Sequence, residues 1–111
     1  MKHYILDARH DVIEVHLLAW GRWGGGASRE LARTEVGHLR VLTSFAGIDI
    51  NFGDGPPAFF ETRVLDGIDE LECSESASWP EALGAHAALT ERWRSWAADA
   101  RSAARRVLAV L

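Results

Sequence analysis

Cysteine is nearly missing from this 111-residue chain. Cys73 stands alone, so no disulfide can close within the chain, and a reducing compartment is the natural home for a fold held by packing. As a nucleophile Cys73 is poorly placed, because Glu72 and Glu75 beside it raise a thiol pKa, whereas a reactive thiolate needs positive surroundings. Long apolar runs are missing as well. The longest uncharged run, Ala82 to Thr90, is far too short to span a bilayer, and MKHYILDARHD offers no apolar stretch before Asp7. Neither a membrane segment nor a secretory leader is expected, and a cytoplasmic location is. Positive charge is in deficit: 12 Lys and Arg stand against 16 Asp and Glu, a net charge of −4. Direct nucleic-acid binding, which depends on clustered cations displacing counterions, is therefore not expected.

Motifs for cofactors and metals are lacking too. Gly24-Gly25-Gly26 has neither the spacing nor the following Lys-Ser/Thr of a phosphate loop. No two of His3, His10, His16, His38 and His86 stand at a recognised ligand spacing. Asp49-x-Asn51-x-Gly53 begins like a calcium loop, but Asp54 and Phe60 occupy the positions where that motif needs Gly and Glu. The simpler expectation is that Asp49 and Asn51 bond the loop's own backbone, and that no metal or cofactor is held.

What the chain does have is organised around residues 39 to 65, LRVLTSFAGIDINFGDGPPAFFETRVL. Two alternating runs, 39 to 46 and 58 to 65, read as central strands of an antiparallel sheet with one better-buried face, carrying Leu39, Val41, Thr43 and Phe45 on the first strand and Phe60, Thr62 and Val64 on the second. The connection GIDINFGDGPP is long for a hairpin, and long loops in compact domains are more often functional than short ones. Upstream, residues 3 to 6 and 12 to 15 suggest a hairpin, and Leu17, Leu18, Trp20 and Trp23 suggest a short helical turn that holds two tryptophans against the core. Gly37-His38 marks another hairpin turn before Leu39. The acidic run Asp66, Asp69, Glu70, Glu72 and Glu75 reads as a solvated face.

Ser78-Trp79-Pro80-Glu81 has the form of a capping box, and after it no breaker but Gly84 intervenes, so a helix is predicted from about Trp79 to near Val110. Its residues Ala82, His86, Leu89, Trp93, Trp96, Ala100, Ala103, Val107 and Val110 recur at alternating steps of four and three, a heptad stripe. Such a helix is about 48 Å long, against about 34 Å for the diameter of a compact domain of this size, so it should overhang. The expected architecture is one α+β domain over residues 1–111, an antiparallel sheet of three to five strands with the long helix across one face and residues 97–111 as a helical extension. Leaving the stripe of the extension, with Leu108 and Leu111 beside it, in water is unfavourable, which predicts a homodimer through residues 93–111.

The order VLTSFAGIDINFGDGPPAFFETRVL followed by SWPEALGAH resembles a family of small uncharacterised proteins found in phages, prophages and bacterial genomes. Their pattern reads VSTVFLGIDH, then F, GPP, FETMVFGG, and a T-W-x-E-A segment ending in G-H. HYILD at the start, Trp20-x-x-Trp23 and the RTEVG at Arg33 to Gly37 extend the likeness over nearly residues 3 to 90. The matching positions are Asp49, Phe52, Gly55, Pro56, Pro57, Phe60, Glu61, Thr62, Trp79, Glu81, Ala82 and His86. Ile50 stands where the pattern has His, and Gly84-Ala85-His86 replaces Ala-Gly-His. The family has no assigned activity. What the resemblance implies is a phage or mobile-element setting, and with it inhibition of a host defence complex, as by an anti-CRISPR, or a toxin–immunity pairing.

Two classes of function follow. A binding protein that acts stoichiometrically on a protein target suits the small size, the acidity and the five tryptophans. Its candidate contact residues are Trp93, Trp96, Asp49, Asn51, Asp54 and Arg63. The alternative is a small hydrolase or metal-dependent enzyme, with Glu61, Asp49 and His86 as an acid–base or metal group at the loop mouth. Glu61 and Arg63 have a plainer use as cross-strand partners of Arg33, Glu35 or Arg40.

Overall fold

The computed structural model describes residues 1–24 and 29–110. The alternation expected of the central strands is realised in a four-stranded antiparallel sheet of β3 (Arg29–Val36), β4 (Leu39–Phe45), β5 (Phe60–Asp66) and β6 (Asp69–Ser76), in that spatial order. The helix α2 (Trp79–Val110) lies across one face. A separate hairpin pairs β1 (His3–Leu6) with β2 (Val12–Val15), His3 opposite Val15, and leads into α1 (Leu17–Trp23). The fold is α+β, with β4 and β5 central as the pattern predicted.

Period two decides the core. Leu39, Val41 and Phe45 on β4 and Phe60 and Val64 on β5 point toward α2, each at most 2% exposed. Burying each such side chain contributes roughly 1.5–3 kcal/mol relative to leaving it in water. Two clusters result. Val36, Leu39, Val41, Val64 and Leu89 pack at one end of the sheet, and Phe45, Phe59, Phe60 and Ala82 at the other. The hairpin and α1 cap the second cluster through Tyr4, Leu6, Val12 and Trp23. Trp23 meets Phe45 edge-on at 5.5 Å, and Arg29 lies over the Trp23 ring at 3.9 Å. Trp20 instead meets His3 in a tilted contact at 4.6 Å, and Leu17 and Leu18 face outward.

β6 is the element the acidic run conceals. Asp and Glu are poor strand formers, yet an edge strand tolerates charge because carboxylates on it discourage pairing with another chain. Gly67, at φ 62, and Ile68 make the turn that brings Asp69 opposite Asp66. The other edge, β3, carries a bulge between Glu30 and Ala32 and the charged Arg33 and Glu35.

α2 starts where the capping box places it. Ser78 Oγ accepts from the Glu81 backbone N–H at 3.3 Å, and Glu81 reaches back, though to the N–H of Ala77 rather than that of Ser78, at 3.2 Å. His10, held at φ 65 in the β1–β2 turn, stacks flat on Trp79 at 3.9 Å and ties the hairpin to this end of the helix. The stripe then divides. Ala82, His86 and Leu89 are buried on the sheet and Trp93 is half-buried, its indole N–H donating to Glu72 at 2.8 Å while Arg92 pairs with the same carboxylate. Ala97 is the last residue to touch the core, and every residue from Ala98 to Val110 is exposed. The overhang makes the molecule 64 Å long and only 25 by 24 Å across. The radius of gyration is 17.6 Å, against about 13 Å for a compact domain of this length. Gly24, at φ 105, caps α1; the rest of the triple glycine and Leu111 lie outside the described residues.

Candidate binding loop

Asp49 organises the connection between β4 and β5. Its carboxylate accepts from the backbone N–H groups of Asn51 at 3.0 Å, Gly53 at 3.0 Å and Ala58 at 3.1 Å. The Ala58 N–H does most to hold this carboxyl below its usual range, the Asn51 and Gly53 N–H groups add to it, and partial desolvation opposes them. Asn51 closes the loop from the other side, its amide donating to the Pro56 carbonyl at 2.8 Å. Asp49 and Asn51 thus bond the loop's own backbone. Asp54 is exposed on its outer turn, with its N–H donating to the Asn51 carbonyl at 2.8 Å.

What this framework displays is Phe52. It sits in the left-handed region at φ 51 and is 72% exposed. Non-glycine residues in that region cost of order 1–2 kcal/mol. Among the described residues His10 is the other case, and there the ring is stacked on Trp79. Phe52 packs on nothing comparable: its backbone is held by Asp49 and its ring stands in solvent. Beside it a cleft of about 400 Å³ is lined by Met1, Lys2, Tyr4, Asp49 and Gly53 together with Phe52. Sequence reasoning did not single out Phe52 as a contact residue. The available signal was an aromatic between Asn51 and Gly53, where the turn needs positive φ.

The three residues of the catalytic alternative are not brought together. His86 faces the sheet from α2 and both ring nitrogens are taken: Nε2 shares a 2.8 Å hydrogen bond with Thr34 Oγ1, and Nδ1 one of 2.8 Å with Thr43 Oγ1, which itself bonds Thr62 Oγ1 at 2.8 Å. Burial pushes the His86 pKa below its ordinary 6.5. Glu61 alternates with Phe60 and Thr62 along β5 and so belongs to the opposite face of the sheet. The carboxylate of Asp49 is occupied by the loop.

That opposite face also carries Arg63, opposite Leu42 and Cys73, and Glu61 lies opposite Ser44 and Glu75. Neither pairs with Arg33, Glu35 or Arg40; Arg33 bonds Glu30 at 2.8 Å and Arg40 donates to the Gly67 carbonyl at 3.2 Å. The Cys73 thiol is raised by partial burial first, then by Glu61, Glu70 and Glu75, with Arg63 opposing. Glu72, its neighbour in sequence, points to the helix side and plays no part. Trp96 is 52% exposed at the root of the overhang and meets Trp93 edge-on at 5.4 Å.

Among the described residues no group of three or more His, Cys, Asp and Glu is placed to hold a metal ion, and no helix is long and apolar enough to cross a membrane. No protein-family model matches the chain, and neither a curated protein nor a solved structure shows a significant likeness to it.

Proposed function

We propose that the chain is a binding protein that acts stoichiometrically, without turnover, and that the Phe52 loop is its contact surface for a protein target. One observation carries this reading: an exposed aromatic is kept in a costly backbone conformation by a carboxylate bonded to three backbone N–H groups. A preorganised loop loses little conformational entropy on binding, and an aromatic anchor beside a cleft is the kind of feature that dominates interface energetics. Asp54 on the same loop supplies rim charge, which fits a target with cationic groups around an apolar recess. The narrower form of the proposal, inhibition of a host defence complex in a phage or mobile-element setting, is supported by the family resemblance of the sequence alone.

The test is affinity capture with immobilised protein, comparing the wild-type chain with Phe52→Ala and Asp49→Ala. A protein retained in equimolar amount by the wild type and lost with both variants supports the proposal. Retention unaffected by Phe52→Ala sinks it, as does hydrolytic turnover by the purified chain that Glu61→Gln abolishes.

A further inference from the structure

The overhang of α2 carries its apolar and charged residues in a pattern that fits its own copy. From Trp93 onward the stripe continues as Trp96, Ala100, Ala103, Val107 and Val110 at steps of three and four, the spacing of a two-stranded coiled-coil seam. Bulk is distributed unevenly along it, with large residues at the root, alanines in the middle and valines at the tip. Four arginines, Arg94, Arg101, Arg105 and Arg106, share the arm with one acid, Asp99.

We infer that two copies of the chain pair through these arms as an antiparallel helical hairpin between molecules. Laid antiparallel so that every stripe residue meets one from the other copy, Trp96 stands opposite the partner's Val107 and Ala100 opposite the partner's Ala103. The partner's Val110 then reaches the outer side of Trp93. The alanines meet at the two-fold axis and let the helices approach closely, while tryptophan fills the wider space beside valine.

Charge selects this orientation. Asp99 and Arg106 both flank the seam, one position ahead of Ala100 and of Val107. In the antiparallel pairing such positions face each other across the seam, which sets Asp99 against the partner's Arg106 twice over by symmetry. In a parallel pairing such a position faces the one five residues further on in the partner, which for Asp99 is Ala104, and Asp99 would have no cation to meet. The sheet offers no competing contact between copies, because β3 is bulged and charged and β6 is acidic. Ile68, 99% exposed in the turn at the arm end of the sheet, adds apolar surface at the level the partner's helix tip reaches.

These residues are separate from the Phe52 loop, so the dimer and the proposed target contact stand or fall independently. The test is the solution mass by light scattering or sedimentation at micromolar concentration, for the full chain and for Asp99→Arg, Arg106→Asp and the double variant. All of these lie on the exposed overhang. The full chain should have twice the mass of the 12.3 kDa protomer. Each single exchange turns two attractions into two repulsions and should weaken association by about tenfold or more, and the double exchange should restore it. A monomeric full chain, a dimer insensitive to the single exchanges, or a dimer that persists in a chain ending at Ala97 overturns the inference.

Discussion

Thr43 on β4 and His86 on α2 share a 2.8 Å hydrogen bond inside the interface between sheet and helix, with Thr43 fully buried and His86 8% exposed. Thr62 and Thr34 extend the contact to either side, so four polar side chains satisfy one another where an apolar interface is the rule. Thr90, one turn further along α2, has a buried hydroxyl with no such partner.

The two threonines should answer oppositely to the same change. Thr43→Val leaves Nδ1 of His86 and the hydroxyl of Thr62 without their partner and should lower stability by about 1–3 kcal/mol, whereas Thr90→Val removes an unpaired group and should be neutral or stabilising by up to about 1 kcal/mol. Urea unfolding of both variants checks this. Equal losses would show that the hydrogen-bonded chain contributes nothing specific.

Acid should act on the folded state through His86. Its folded pKa is depressed by burial, so the unfolded chain binds the proton more readily, and stability should be constant above the ordinary value of 6.5 and fall as pH drops below it, levelling off once the lower folded pKa is passed. Asp49 acts in a separate window, its contribution being present above 3.8 and lost below that as its depressed folded pKa is passed. Denaturation midpoints at several pH values between 7.5 and 5 should decline for the wild type relative to His86→Gln. Parallel curves would exclude His86 as the source.

Phe52→Gly separates stability from binding. Glycine accepts φ 51 without strain and little packing is lost, so the variant should be up to about 1 kcal/mol more stable than the wild type while losing the captured target. A destabilised variant would mean that the exposed ring supports the fold.

Gly47, at φ 77, should not tolerate a side chain. A Cβ there would sit 2.9 Å from Nε1 of Trp20 and 3.5 Å from the Tyr4 carbonyl, at the point where the Tyr4 N–H donates to the Gly47 carbonyl at 2.9 Å and joins the hairpin to the sheet. Gly47→Ala should cost about 1–3 kcal/mol and change the tryptophan fluorescence, and a silent substitution would place the joint elsewhere.

The sheet and the long helix were legible because their signals are local and repeat: alternation on 39–46 and 58–65, and a capping box followed by a heptad stripe. β6 was not, because Asp69, Glu70, Glu72 and Glu75 suit an edge strand through their charge and are penalised by propensity, so composition hides the strand. His86 was correctly placed on the apolar stripe, but its partners come from β3 and β4, 52 and 43 residues away, a distance that no spacing rule spans. The backbone bonding of Asp49 and Asn51 could be read from their types, whereas the exposure of Phe52 depends on how the whole loop is held against the sheet.

The acidic edge of β6 bears on solubility as well as on fold. An outer strand offers unpaired N–H and C=O groups to any extended chain, and β6 carries four carboxylates, Asp69, Glu70, Glu72 and Glu75, whose charge keeps a second copy from adding itself there. Exchanging Asp69, Glu70 and Glu75 for their amides would remove the guard while leaving the hydrogen-bonding groups in place. A chain so changed would keep its exposed pairing edge and lose the charge that defends it, the condition from which strand-by-strand aggregation begins.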